Sequence, residues 1–212
     1  KMAAFGQLGA GIAHEVKNPL AGIIGLAQLL LRKVEKDGPL YENLVMIEKE
    51  ARRSKSITEN LLRFARQEKV VFTTIDLNVV ATESAAIVDH QLGINQIKLD
   101  RKLAPRLPKI VGNANQLQQV LMNLMINAQQ AMEGSPGKVT LSTHLLNAEK
   151  IELRVTDTGP GIPKDIQTKI FEPFFTTKPA GKGTGLGLSV SYGIIKDHKG
   201  DVRIESAPGK GT

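Results

Sequence analysis

Apolar residues recur by threes and fours near the start of the chain, at Ile12, Val16, Leu20, Ile23, Ala27, Leu30 and Val34. That spacing predicts an amphipathic helix over residues 1 to about 35. Asp37-Gly38-Pro39 interrupts it, because glycine and proline favour a turn over continued helix. A second stripe follows at Leu40, Leu44, Ile47, Ala51, Ser54, Ile57, Leu61 and Phe64, with charged residues from Glu48 to Lys55 on the other faces. Two helices joined by a short break form an antiparallel hairpin. Alone, such a hairpin leaves its stripe bare. Pairing with a second copy makes a four-helix bundle, so a homodimer through residues 1–69 is expected.

After residue 69 the pattern changes. Val71 to Ile75 reads as a short strand and Leu77 to His90 as a helix. Lys98-Leu99-Asp100 and Ile110-Val111 read as strand pieces flanking the Pro105–Pro108 turn, and Asn115 to Met132 as a strong helix. Alternation then predicts strands at Lys138–Leu145, Lys150–Thr156 and Asp201–Ser206, with a helix from Leu186 to Asp197. The Gly/Pro/Thr-rich stretch from Asp157 to Gly185 exceeds an ordinary connection, and is expected to be a functional lid with partial helix inside. Residues 70–212 thus read as a second domain, an α+β sandwich with helices on one face of a mixed sheet.

Composition narrows the function classes. The 212 residues are 41% apolar and 23% charged, as in an ordinary soluble domain. No cysteine occurs, which excludes disulfides and cysteine-based zinc sites and fits a cytoplasmic location. The longest apolar stretch, Leu20 to Leu31, contains Gln28 and is short of the ~20 residues that span a bilayer, so no membrane contact is expected. The net charge is +7, but basic residues are dispersed and aromatics are only 4%; nucleic acid is not expected as a partner. His90, His144 and His198 lack metal-ligand spacing and read as structural or solvated. Lys1 is not a natural start, which suggests a fragment with a sensor or membrane segment upstream.

Two regions carry candidate chemistry. On an ideal helix His14 falls roughly 165° from the apolar stripe, facing water; on that ground alone an indifferent surface histidine stays equally open. Glu15 can accept the Nδ1 proton and leave Nε2 free to attack, although adjacent helical residues do not naturally face each other. Pro19 should kink or loosen this turn, and Asn18 lies one turn beyond His14, where its amide can orient a water or phosphoryl oxygen.

The second region begins with Asn123 and Asn127, four apart and so on one helix face. Amides among Leu121, Leu124, Met125 and Ile126 need partners; helix–loop hydrogen bonds or a Mg²⁺ ion bridging nucleotide phosphates would both serve. Asp157 ends an alternating strand, where its carboxylate can accept the exocyclic amine of adenine, and Gly159 and Gly161 permit a tight turn. Phe171, Phe174 and Phe175 cluster around Pro173 as hydrophobic anchors for the lid. Gly181, Gly183, Thr184, Gly185, Leu186 and Gly187 run into a helix whose first amides can meet phosphate, with Lys178 and Lys182 adding positive charge. Leu188 stands where a dinucleotide fingerprint needs glycine, and no Walker sequence occurs. Protein-kinase signatures are absent too.

Taken together, His14-Glu15-Val16-Lys17-Asn18-Pro19-Leu20, Asn123-Leu124-Met125-Ile126-Asn127, Asp157-Thr158-Gly159-Pro160-Gly161 and Gly183-Thr184-Gly185-Leu186-Gly187 resemble, in order, the boxes of bacterial sensor histidine kinases. The resemblance covers nearly the whole chain. It implies a dimeric helical bundle followed by an ATP-binding sandwich of the histidine-kinase, gyrase and Hsp90 type. It also implies autophosphorylation of His14 from ATP, Glu15 as base, and Asn18 supporting dephosphorylation of the partner. Asn127 becomes the magnesium ligand, supported by Asn123; a response regulator is the partner, and the stretch near Arg66–Val70 is the hinge. The first box and Phe171-Glu172-Pro173-Phe174-Phe175-Thr176-Thr177-Lys178 resemble the nitrogen-regulation-like branch. The chain stops at Gly211-Thr212, where that family usually adds a strand. The competing readings are a gyrase- or Hsp90-type ATPase that drives clamp motion, and a non-catalytic dimerisation scaffold.

Overall fold

A computed structural model describes the backbone of residues 2–36, 38–65, 71–179 and 183–212, and the side chains of 16–36, 38–55, 58, 71–179 and 183–212. The proposed hinge at 66–70, together with Gly181 and Lys182, lies outside the described residues. The chain divides into two compact units, Lys1–Lys69 and Val70–Thr212.

The first unit is a hairpin of α1 (Met2–Leu31) and α2 (Pro39–Ala65). Helix α1 runs without a break through Pro19, and ends at Leu31 where Lys33 and Val34 both donate to the Leu30 carbonyl, at 2.8 and 3.1 Å. Pro39 opens α2, a first-turn position where its missing N–H leaves no bond unmade. The seam between the helices is narrower than the expected stripes. Ile24 and Ala27 are buried against Leu44 and Ala51, whereas Val16, Ile23, Leu30, Leu40 and Ile47 are exposed. The reason is geometric: one helix covers only a strip of its neighbour, and the apolar arc of α1 is wider than that strip. Across the seam Gln28 donates to Glu48 at 2.8 Å, and Arg52 forks onto the same carboxylate at 2.7 and 2.9 Å. These two partners, Arg52 foremost, hold the Glu48 carboxyl below its ordinary range.

The second unit contains β1 (Thr73–Ile75), α3 (Leu77–Ile94), β2 (Ile97–Lys102), β3 (Ile110–Gly112), α4 (Ala114–Ala131), β4 (Gly137–Asn147), β5 (Lys150–Asp157), α5 (Lys164–Gln167) and α6 (Gly187–Asp197). Strands β1 and β3 pair antiparallel, Thr73 opposite Gly112. The main sheet has the order β2-β4-β5, parallel between β2 and β4 and antiparallel between β4 and β5. Helices α3 and α4 lay their apolar faces on it, burying Leu92, Leu121, Met125, Val139 and Leu141 completely or nearly so. Both helices start on side-chain caps, Asp76 accepting from Asn78 at 2.9 Å and Asn113 from Gln116 at 3.0 Å, each relieving an orphan donor.

One expected strand is missing. Asp201–Ser206 keeps its alternating burial but forms no ladder. At the edge of β5 the Asp157 N–H instead reaches the Thr212 carbonyl at 2.8 Å, and Gly209 donates to Pro160 at 2.7 Å. Period-two burial therefore shows which side chains face inward here without strand pairing.

Candidate functional site

Helix α4 sets the site. Leu117, Leu121, Met125 and Ala128 are buried, which turns Asn123 and Asn127 toward the segment leading into α6. Asn123 Nδ2 donates to the Gly187 carbonyl and to Ser191 Oγ, both at 3.2 Å. It therefore ties the first turn of α6 to α4. Asn127 Oδ1 accepts from Lys178 Nζ at 3.3 Å, and the same ammonium contacts Gln130 Oε1. Burial pushes the Lys178 ammonium below its ordinary pKa. Two amide oxygens on neighbouring turns of α4 thus gather positive charge.

At the end of β5, Asp157 is half-buried. Burial raises its carboxyl above the ordinary range, opposed by hydrogen bonds from the backbone of Gly159 and Thr212; the Gly159 N–H lies 2.8 Å from Oδ1. Helix α4 packs against β5, and Met132 at its C-cap approaches Thr158 Oγ1 at 3.6 Å. Gly161 has φ +74°, and a Cβ there would strike the Ala207 carbonyl, so only glycine permits this turn.

The segment between these parts holds α5 and a 3₁₀ turn at Lys169–Phe171, and enters α6 at Gly187. The three phenylalanines do not act alike. Phe171 packs its ring against Tyr192 of α6, centroids 5.2 Å apart, and Phe175 is half-buried. Phe174 is 64% exposed, which corrects its expected role as a hydrophobic anchor. It anchors through its backbone, donating to Gly185 at 2.9 Å. Its φ of +69° turns the ring outward, and the tight fit requires Gly185, where a Cβ would strike the Phe174 carbonyl.

Leu186 is buried at the N-cap of α6 with no side-chain capping bond; Thr184 Oγ1 accepts the Leu186 N–H at 3.4 Å. Early amides of such a helix favour an anion. Gly183 lies beside Thr176 and Lys178.

In the hairpin, His14 and Glu15 lie within α1, with their side chains outside the described residues; Asn18 is exposed. No group of His, Asp and Glu that could hold a metal occurs among the described residues, and no helix there is long and apolar enough to cross a membrane. The sequence reading missed Gln130, Ser191, Ser206 and Thr212. Gln130 was legible in principle, since it lies one turn from Asn127. The others act through the tertiary fold, bonding to residues distant in sequence.

The His Kinase A (phospho-acceptor) domain family matches residues 6–69. The Histidine kinase-, DNA gyrase B-, and HSP90-like ATPase family matches residues 112–212. The chain is 36% identical to sensor histidine kinase ZraS of Klebsiella oxytoca over its whole length, and spans 45% of that relative. Among solved structures, full-length ShkA in complex with AMPPNP superposes with a TM-score of 0.80 at 24% identity, covering 97% of this chain and 44% of that one. Histidine kinase ThkA in complex with response regulator protein TrrA gives 0.63 at 26%, covering 94% and 58%.

Proposed function

This chain belongs to the bacterial two-component sensor histidine kinases, and from that premise we propose that it phosphorylates itself on His14 from ATP and passes the group to an aspartate of a response regulator. The Nε2 lone pair forms the nitrogen–phosphorus bond as the bond from γ-phosphorus to its bridging oxygen breaks and ADP leaves. Glu15 holds the Nδ1 proton, so that Nε2 presents its lone pair. Asn18, one turn along, orients water for dephosphorylation of the regulator. Acceleration rests on positioning and charge neutralisation, since phosphoryl transfer asks little covalent help of the protein.

Asp157 accepts the amine of adenine, and the Gly159–Gly161 turn lets the backbone approach the base. The phosphates lie toward the start of α6, with Lys178 near them. Asn127 is the residue that would hold magnesium, which neutralises phosphate charge when bound. The donor set fits, because the Asn127 and Gln130 oxygens already attract an ammonium and amide oxygens suit a hard cation. That attraction is the observation that carries the reading: the lid brings Lys178 to the asparagine helix, so both halves of a phosphate site share one charge. Exposed Leu26, Leu29 and Met46 support a homodimer through the hairpin, since a second copy would cover them.

Incubating the chain with γ-labelled ATP and magnesium tests the assignment. An acid-labile phosphoprotein is expected, and His14→Gln should lose all label while still binding ATP. Label retained in that variant, or steady ATP hydrolysis with no phosphoprotein, would overturn it.

A further inference from the structure

The Asp157 turn is held by a residue outside every motif. Ser206 Oγ accepts the Ile162 N–H at 2.7 Å, donates to the Gly211 carbonyl at 2.8 Å and lies 3.1 Å from Thr212 Oγ1. A hydroxyl has one proton and two acceptor positions. With its proton committed to Gly211, Ser206 must accept from Thr212, and all three capacities are filled. Thr212 in turn holds Asp157, its carbonyl taking the Asp157 N–H at 2.8 Å, and its backbone favours the charged carboxyl. The Ser206 carbonyl also accepts from Gln167 Nε2 at 3.0 Å, and that amide bonds the Ile162 carbonyl at 2.8 Å. A single serine therefore joins the adenine-side turn, the turn at Ala207–Gly211 and the base of the lid.

We infer that Ser206 is a positioning residue for nucleotide recognition, setting the Asp157 carboxyl against the adenine amine through Gly211 and Thr212; this rests on the proposed role of Asp157. Its contribution falls on binding and base choice and leaves phosphoryl transfer untouched, because its bonds go to the base-side turn and the lid root. Alanine would leave the Ile162 N–H and the Gly211 carbonyl without partners and free the Thr212 backbone to drift.

The experiment measures autophosphorylation of the 212-residue chain with Mg-ATP and Mg-GTP for Ser206→Ala, Ser206→Thr and Asp157→Asn. Ser206→Ala should raise the KM for ATP about tenfold with kcat within about twofold, a loss in keeping with unpaired polar groups. The preference for ATP over GTP should narrow with it, and Ser206→Thr, which keeps the hydroxyl, should restore both. If the alanine variant melts below the assay temperature, Ser206→Cys, close in size and a poor hydrogen-bonder, is read in the same way. An unchanged KM, or a fall in kcat that follows the folded fraction alone, overturns the inference. Asp157→Asn separates the two levels: if it binds ATP like the parent, the pocket reading itself fails. If it loses ATP while Ser206→Ala does not, only the role of Ser206 falls.

Discussion

The hairpin and the α/β unit solve the burial problem differently. In the second unit α3 and α4 cover the sheet, and the large side chains at Leu121, Met125 and Leu141 are sealed at 0% exposure. In the hairpin the inner seam is narrow, and Leu26 at 63%, Leu29 at 51% and Met46 at 63% stay open. Open apolar surface of that kind on a pair of long helices fits the proposed pairing with a second copy. One unit closes its own core. The other leaves open the surface against which the proposed second copy would pack.

That contrast can be broken most directly at the open face. Leu26→Glu with Leu29→Glu should weaken self-association by roughly 100-fold or more, since charge would enter a buried helical seam; sedimentation over a concentration series measures it. The melting of the second unit should not move, and an unchanged dimer would mean that this face is not where the copies meet. Met125→Ala is the mirror experiment. It deletes a fully buried side chain of α4 and should cost about 2–5 kcal/mol in denaturant unfolding of the second unit, with self-association retained. Loss of self-association there would show that the units are not independent.

The smallest effect sharpens the picture of the pocket. Burial raises the Asp157 carboxyl above its ordinary value, so the folded chain holds that proton more tightly than the unfolded one. Stability should therefore be greatest below the ordinary carboxylate range and decline as pH rises through the raised value. Asp157→Asn should melt a few degrees, about 2–4 °C, above the parent at pH 8. The gap should close as pH falls below the ordinary carboxylate value. A constant gap across that range would mean the carboxyl is not desolvated.

Much of this architecture was legible in the sequence. The long helices carry their period in side chains that all meet one surface, so α3 and α4 appear within a few residues of their expected ends. Strands β4 and β5 announced themselves by alternation for the same reason. The segment after Asp201 defeated that logic, because alternation reports which side chains face inward and says nothing of whether a backbone partner is within reach. Phe174 shows a similar gap: an aromatic residue in a cluster suggests burial, yet its positive φ, forced by the close pass of Gly185, sends the ring into solvent. The asparagine pair was legible as chemistry, but only the fold divides the labour, with Asn123 bonding the start of α6 and Asn127 facing Lys178.

By itself the sequence determined the helices, the main sheet strands, the start of α2 at Pro39 and the family to which the chain belongs, because periodicity and motif spacing are local properties of the chain. Tertiary structure decided which part of each apolar arc is covered, where Lys178 places its charge, and how Ser206 and Thr212 come to hold Asp157 across some fifty residues. Those outcomes depend on surfaces and hydrogen-bond partners that meet only after the chain has packed, and no local pattern encodes them.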